Sequence, residues 1–233
     1  EELAPNGTLR VGVNLGNFLL VSKDAATGEL RGVVPDLAQE LGRRLDAQVE
    51  LVSYPGAGQV ADAARSGAWD VGFIGAEPQR AAEIAFTPAY LEIPATYLVP
   101  AGSPIRSLAE VDRPGVRIAT AARSAYDLYL SRSLKQAQLV RAEGIPASYD
   151  LFVKDRLEAL SGLLPRLVAD VIRLPGARIL EGSFTSIQQA IGTPRSRAAA
   201  AAYLQEFVAD LKASGLVARL IERHRIRGVS AAR

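Results

Sequence analysis

Arg80 is the side chain with the clearest chemical use in this sequence. It lies between the run Gly75-Ala76-Glu77-Pro78 and the segment Phe86 to Tyr90. A guanidinium stays charged at any working pH and can hold a carboxylate through two parallel hydrogen bonds. On spacing alone, a surface arginine paired with Glu77 or Glu83 accounts for the same residues. Ser124 is the second candidate. Its backbone N–H at a predicted helix start can donate to an anion, although a plain helix cap needs no ligand. The single histidine, His224, falls in the basic stretch Arg219 to Arg227. One imidazole with no partner motif specifies neither acid–base work nor a metal, so His224 reads as a solvated helix residue and its neighbours as a wet helix face. Cysteine is absent, which removes thiol catalysis, thiolate metal sites and disulfides together. Gly12, Gly16, Gly28 and Gly32 fit neither the dinucleotide fingerprint nor the Walker spacing. No catalytic residue, metal or cofactor is expected.

The elements that must position Arg80 and Ser124 follow from periodicity. Leu9, Val11 and Val13 alternate with Arg10, Gly12 and Asn14, a strand pattern that ends on polar residues at Asn14 to Asn17. From Val34, apolar residues at Leu37, Ala38, Leu41 and Leu45 take helical spacing, with Pro35 and Asp36 in the first turn. Val49 to Val52 reads as a strand, Gln59 to Ser66 as a short helix and Val71 to Ile74 as a strand, so the first series is α/β with parallel character. Trp69 lies just before that strand. Tyr90 to Val99 is strand-like. After the break at Pro100 to Pro104, a second α/β series starts at Val116 to Ala119. A helix is predicted over Arg123 to Leu134, with Ser124 and Asp127 spaced as a capping box. Strands at Leu139 to Arg141 and Glu158 to Leu160 follow, with helices at Ala147 to Arg156 and from Pro165 to Asp170. The tail is helical: Ala198 to Ser214 stops at Gly215, and a second amphipathic piece carries Leu216, Leu220 and Ile221. The polar loops at the carboxyl ends of strands, where open α/β sheets bind ligands, are Asn14 to Phe18, Gly75 to Arg80 and Ala121 to Tyr126.

Composition narrows the function class. A length of 233 residues allows one or two compact units. With 48% hydrophobic and 22% charged residues, a substantial core can form and wholesale disorder is excluded. No apolar run approaches the roughly 20 residues of a membrane-spanning helix, so the chain reads as soluble. Lysines and arginines number 27 against 25 acids, a near balance that gives no broad field for a polyanion, and nucleic acid is not an expected partner. The opening Glu1-Glu2-Leu3-Ala4-Pro5 lacks the basic and apolar stretches of a signal peptide. An exported protein would be in its mature form here.

Several segments in order resemble one family. The run Trp69-Asp70-Val71-Gly72-Phe73, then Pro78-Gln79-Arg80-Ala81-Ala82-Glu83-Ile84-Ala85-Phe86-Thr87-Pro88-Ala89-Tyr90, is similar to a segment of the family 3 extracellular solute-binding proteins of ABC transporters. In that family an arginine precedes a strand of phenylalanine, serine or threonine, then tyrosine. Leu9 to Asn14, Gly28-Glu29-Leu30-Arg31-Gly32, Pro35-Asp36-Leu37-Ala38 and the final helix with Leu211-Lys212-Ala213-Ser214-Gly215 resemble it too. The resemblance implies an α/β, two-lobed periplasmic-binding-protein fold of type II, with two crossing hinge strands near Glu92 to Pro94 and Phe184 to Ile187. Lobe one would be residues 1–92 and 187–233, and lobe two residues 93–186. It further implies an extracytoplasmic, monomeric receptor that holds a small carboxylate-bearing solute between the lobes and delivers it to a membrane permease. Arg80 would hold the carboxylate, Ser124 with Arg123 and Tyr126 would meet the ligand from lobe two beside Gly162, and Asn14, Asn17 and Phe18 would line the side-chain pocket.

The sequence also departs from that pattern. Amino-acid binders of the family usually carry a hydroxyl-rich loop before the arginine, whereas Gly75-Ala76-Glu77-Pro78 has no hydroxyl, so backbone groups or Glu77 must substitute. The family tends to place an acid in lobe two for an α-ammonium, and Ser161-Gly162-Leu163 contains none. Either the ligand lacks an ammonium or Glu77 takes over that role. Two other functions use the same scaffold: an enzyme resembling cyclohexadienyl dehydratase, for which Glu77 and Asp127 are the available acids, and the sensing domain of a membrane receptor.

Overall fold

The computed structural model describes residues 2–233. In chain order its strands and helices are β1 (Thr8–Asn14), β2 (Ser22–Lys23), β3 (Leu30–Arg31), α1 (Val33–Leu45), β4 (Gln48–Tyr54), α2 (Ala57–Ala63), β5 (Val71–Gly75), β6 (Ile84–Phe86) and β7 (Leu91–Val99). They continue as β8 (Arg117–Ala121), α3 (Ala125–Ser133), β9 (Gln138–Ala142), α4 (Ile145–Lys154), β10 (Ala159–Leu163), α5 (Leu164–Val171) and β11 (Arg178–Ile179). The last are β12 (Thr185–Pro194), α6 (Ala198–Ser214), α7 (Leu216–Arg223) and β13 (Ser230–Ala231). The chain divides into two compact units: Glu1–Glu92 with Gln188–Arg233, and Ile93–Ile187. Strands β7 and β12 each begin in one unit and end in the other, so the backbone passes between units twice.

In the first unit β1 lies parallel to both β4 and β5, and β12 runs antiparallel to β5. Leu9, Val11 and Val13 are fully buried on β1, and α1 sets Leu37, Ala38 and Leu41 into the core. Helix α1 starts where Gly32 has φ 135°, and a Cβ there would lie 2.3 Å from the Leu20 carbonyl oxygen. Only glycine fits that entry. Helices α6 and α7 pack on each other and α7 on α1, burying Leu204, Phe207, Leu211, Val217 and Leu220. Gly215, in the left-handed region, ends α6.

Trp69 belongs to this core. Its indole is fully buried, its Nε1 donates to the Val60 carbonyl at 2.9 Å, and it packs with Val60, Ala64, Ile74 and Ile84. Gly12 and Gly72 are register partners on β1 and β5, and both lie against the indole. A Cβ at Gly12 would stand 2.8 Å from Trp69 Cδ1. The glycines therefore supply the space that the ring fills.

Asp70, the next residue, is fully buried and joins distant segments. It accepts from Arg10 Nη2 at 2.7 Å and Nε at 3.1 Å, from the Arg10 backbone N–H at 2.9 Å, and from Arg197 Nη1 at 2.6 Å. Its carbonyl accepts from Thr193 Oγ1 at 2.9 Å. Burial alone would raise the Asp70 carboxyl, but the bonds from Arg10 and Arg197 outweigh it, and the group sits below its ordinary value.

The second unit orders its strands β7-β10-β8-β9, with β10 antiparallel to β7 and parallel to β8. The two-residue strand period sorts side chains to two clusters. Tyr97, Val99, Ile118 and Ala159 pack with Leu130 of α3, whereas Leu98, Ala119 and Leu160 pack with Tyr149 and Phe152 of α4 and Leu167 of α5.

Three expectations change. The segment Phe86 to Tyr90, a strand by the family resemblance, is not one here: β6 ends at Phe86, and Thr87 to Tyr90 form a connection, since Pro88 has no N–H to donate to a ladder. The helix expected from Arg123 starts at Ala125, because Arg123 takes φ 60° and cannot continue a right-handed turn. The capping box there is only half made. Ser124 Oγ accepts from the Asp127 N–H at 3.1 Å, but Asp127 turns back to the Arg123 N–H at 2.8 Å. A complete box forms instead at Ser107 and Glu110.

Gly12→Ala should cost about 1–3 kcal/mol by overpacking the indole. Urea unfolding followed by the fluorescence of the single tryptophan measures it, and an unchanged midpoint would show that the ring yields freely. Asp70→Asn should cost about 3 kcal/mol, since it strands two arginines. Because the native carboxyl lies below its unfolded value, its contribution is complete above about pH 4 and fades as the pH falls through the native value. The gap between wild type and Asp70→Asn in urea should therefore narrow as the pH falls below about 4. A gap independent of pH would refute the ionic account.

Candidate functional site

Two loops leave the same edge of the first unit's sheet, because β1 and β5 are parallel neighbours. After β1, Asn14 Oδ1 accepts from the Gly16 N–H at 2.9 Å and the Asn17 N–H reaches the Asn14 carbonyl at 3.2 Å. This local turn occupies the Asn14 side-chain oxygen. Asn17 is 7% exposed, and its Oδ1 is buried without a hydrogen-bond partner. Phe18, next in the loop, is 44% exposed.

After β5, the Gly75 carbonyl accepts from Arg80 Nη1 at 2.7 Å. The Ala76 N–H donates to Gln188 of β12 at 2.8 Å, and the Glu77 carbonyl accepts from the Arg80 and Ala81 N–H groups at 2.9 and 3.0 Å. Arg80 opens a short 3-10 helix, Arg80–Ala82. It is only 5% exposed, and Glu77 is 8% exposed. Arg80 is therefore not the surface arginine that spacing alone suggested, and Glu83 pairs with Arg65 at 2.8 Å. Spacing could not reveal this, because burial depends on what covers the loop.

In the second unit, the β8 to α3 connection brings Arg123, Ser124 and Tyr126 together. Arg123 is exposed and Tyr126 is buried. Burial pushes the Tyr126 phenol up, against a Ser124 hydrogen bond that lowers it. Asp127 is committed: Arg141 Nε lies 3.0 Å from Oδ1 and 3.1 Å from Oδ2, besides the Arg123 N–H. Gly162 is buried in β10, where a Cβ would lie 3.0 Å from Leu167 Cδ2. Ser161 Oγ donates to the Ala119 carbonyl at 3.0 Å, and Leu163 ends the strand 5% exposed. The buried Asp170 pairs with Arg166 at 2.8 Å. Sequence reasoning missed that pair, although its i, i+4 spacing was a signal.

His224 is not simply solvated. Its Nε2 lies 2.8 Å from Asp36 Oδ2, and Arg223 approaches the same oxygen at 3.5 Å. The helical stretch thus ties α7 to α1 rather than presenting only a wet face. Among the described residues no group of three or more His, Cys, Asp or Glu could hold a metal ion, and no helix is long and apolar enough to cross a membrane.

The fold is shared with known binding proteins. The binding component of an ABC transporter from Wolinella succinogenes, complexed with lysine, matches at TM-score 0.78 and 20% identity, over 94% of this chain and 95% of that one. A mutant of ArgBP from T. maritima matches at TM-score 0.76 and 21% identity, over 93% and 94%. An ancestral amino-acid-binding protein, a precursor of cyclohexadienyl dehydratase, matches at TM-score 0.76 and 22% identity, over 93% and 95%. At such identities the likeness is one of fold. No curated protein matches by sequence. The model of one family covers residues 9–225, and the chain belongs to it: the bacterial extracellular solute-binding proteins, family 3.

Proposed function

We propose that this protein is an extracytoplasmic receptor that captures a small carboxylate-bearing solute and delivers it to the permease of an ABC transporter, acting as a monomer with no cofactor. The observation that carries the reading is Arg80: a guanidinium 5% exposed, held by the Gly75 carbonyl, at the edge of the sheet where α/β folds bind ligands. A buried cation with a fixed fork is suited to a carboxylate. In this reading the first unit's ligand groups are Asn14, Asn17, Phe18, Gly75 and Glu77 beside Arg80, and Arg123, Ser124, Tyr126 and Gly162 are the second unit's candidates.

An enzyme on this scaffold is the competing reading, supported by the fold shared with a dehydratase precursor. It needs a placed acid. Asp127 is held by Arg141 and serves poorly, which leaves Glu77. Turnover of prephenate or arogenate by the purified protein would favour the enzyme.

A thermal-shift panel of small carboxylates and amino acids should return a stabilising solute, because ligand at 100 times its Kd adds about 2.7 kcal/mol. With that solute, calorimetry on Arg80→Ala should show a loss of about 2–5 kcal/mol in binding. Arg80→Lys should also bind poorly, since a point charge cannot reproduce the fork. Affinity within threefold of wild type in Arg80→Ala, with far-UV circular dichroism unchanged, would place the anion site elsewhere.

A further inference from the structure

We propose that Arg195 is a positioning residue of the anion grip: without touching the solute, it holds the turn that carries Arg80 and so keeps that guanidinium in the geometry that binds a carboxylate. The proposal rests on the preceding reading of Arg80 as the carboxylate anchor.

The turn cannot hold itself. Arg80 opens a 3-10 helix of three residues, Arg80–Ala82, closed by a bond from the Glu83 N–H to the Arg80 carbonyl at 3.2 Å. Such turns have poorer hydrogen-bond geometry than an α-helix, and their last carbonyls find no partner within the helix. Here the Ala81 carbonyl accepts from Arg195 Nη1 at 2.6 Å, and the Glu83 carbonyl accepts from the Arg195 N–H at 2.9 Å. One residue of the return segment therefore secures the backbone that follows Arg80.

Arg195 is itself well placed to do so. It directly follows β12, whose Gly192, Thr193 and Pro194 pair with Phe86, Ala85 and Ile84 of β6. The strands fit closely, since a Cβ at Gly192 would lie 2.3 Å from Ile84 Cγ2. The backbone bonds of this region survive a side-chain substitution, so the guanidinium contact to Ala81 can be removed by itself. Arg195 is exposed, with Nη1 committed to a carbonyl, whereas Arg80 is 5% exposed.

The consequence is kinetic. A loosened turn leaves Arg80 in the binding geometry for a smaller fraction of the time, and apparent affinity falls by that fraction. Association slows in proportion, while a complex already formed dissociates as before. Truncating Arg80 acts on the other rate, because losing one partner of a buried charge pair speeds dissociation.

The probes are acetate, succinate, L-lactate, L-glutamate, L-lysine and L-arginine, and the one that wild type binds tightest is carried forward. Calorimetry and surface plasmon resonance on the intact chain compare Arg195→Ala, Arg195→Lys and Arg80→Ala. Arg43→Ala, at an exposed arginine of α1, is the control, and circular dichroism confirms that each variant is folded. Arg195→Ala should bind about three- to tenfold more weakly, the worth of one hydrogen bond, with the loss in the association rate. Arg195→Lys should recover most of it, since one N–H donor is all the contact uses. With no solute present, hydrogen exchange at the Ala81 and Glu83 N–H groups should quicken in Arg195→Ala while Val11 and Val13 on β1 stay protected. Arg195→Ala binding like Arg43→Ala, with binding lost in Arg80→Ala, would overturn the positioning role and leave the anchor standing. Faster dissociation in Arg195→Ala would make Arg195 a solute contact, and that outcome, unchanged exchange in the turn, or a lysine variant as weak as alanine would overturn the proposal equally. Arg80→Ala binding like wild type, or no binding of any of these acids, would bring down the Arg80 reading and this one with it.

Discussion

Asp70 is the joint on which the first unit depends, because that unit is assembled from two stretches of chain separated by the whole of the second. Its carboxylate takes Arg10 from β1 and Arg197 from the approach to α6, and its carbonyl takes Thr193 from β12. Residues 60 and 127 positions away in sequence thus meet at one buried anion. Loop-closure entropy makes such a return costly, and a charge-assisted network at the seam fixes its register where apolar packing alone would tolerate sliding. Trp69, adjacent in sequence, fills the neighbouring space, and Gly12 and Gly72 lie flat against it. Seam and core are set by two consecutive residues.

The parallel arrangement of β4, β1 and β5 has a chemical consequence. Their carboxyl ends point one way, so the loops that follow must share an edge. Irregular backbone there cannot satisfy its polar groups through a ladder, and it turns to side chains and neighbouring segments instead. Asn14 closes the turn after β1, and the Glu77 carbonyl collects two N–H groups at the start of the 3-10 helix. At this edge the Asn17 side-chain oxygen is left buried without a hydrogen-bond partner.

Much of the scaffold could be read from the sequence where one physical signal dominated. Alternation found β1, helical spacing found α1 and α6, and Gly215 marked the end of α6. Strand β12 carried no such pattern. Its Gln188-Gln189-Ala190-Ile191-Gly192-Thr193-Pro194 run mixes polar and small residues, and it is nonetheless almost wholly buried because β5 and β6 pair with it. Tertiary pairing, not local preference, makes it a strand. The candidate site was legible to a similar degree. The loops holding Arg80 and Ser124 could be located, but the burial of Arg80, the orphan Asn17 oxygen and the commitment of Asp127 to Arg141 are facts of three-dimensional neighbours that spacing does not encode.

The return segment reaches further than the seam. It also holds the arginine loop in place: Gln188 accepts from the Ala76 N–H, the Arg195 N–H donates to the Glu83 carbonyl at 2.9 Å, and Arg195 Nη1 donates to the Ala81 carbonyl at 2.6 Å. The backbone on both sides of Arg80 is therefore pinned by residues more than a hundred positions later in the chain. A guanidinium positioned this way has lost much of its hydration and rotamer freedom during folding, before any solute arrives. Those costs then fall on the stability of the first unit rather than on the affinity of binding. The price of a pre-set anion grip is a unit that must close its own long loop to form it.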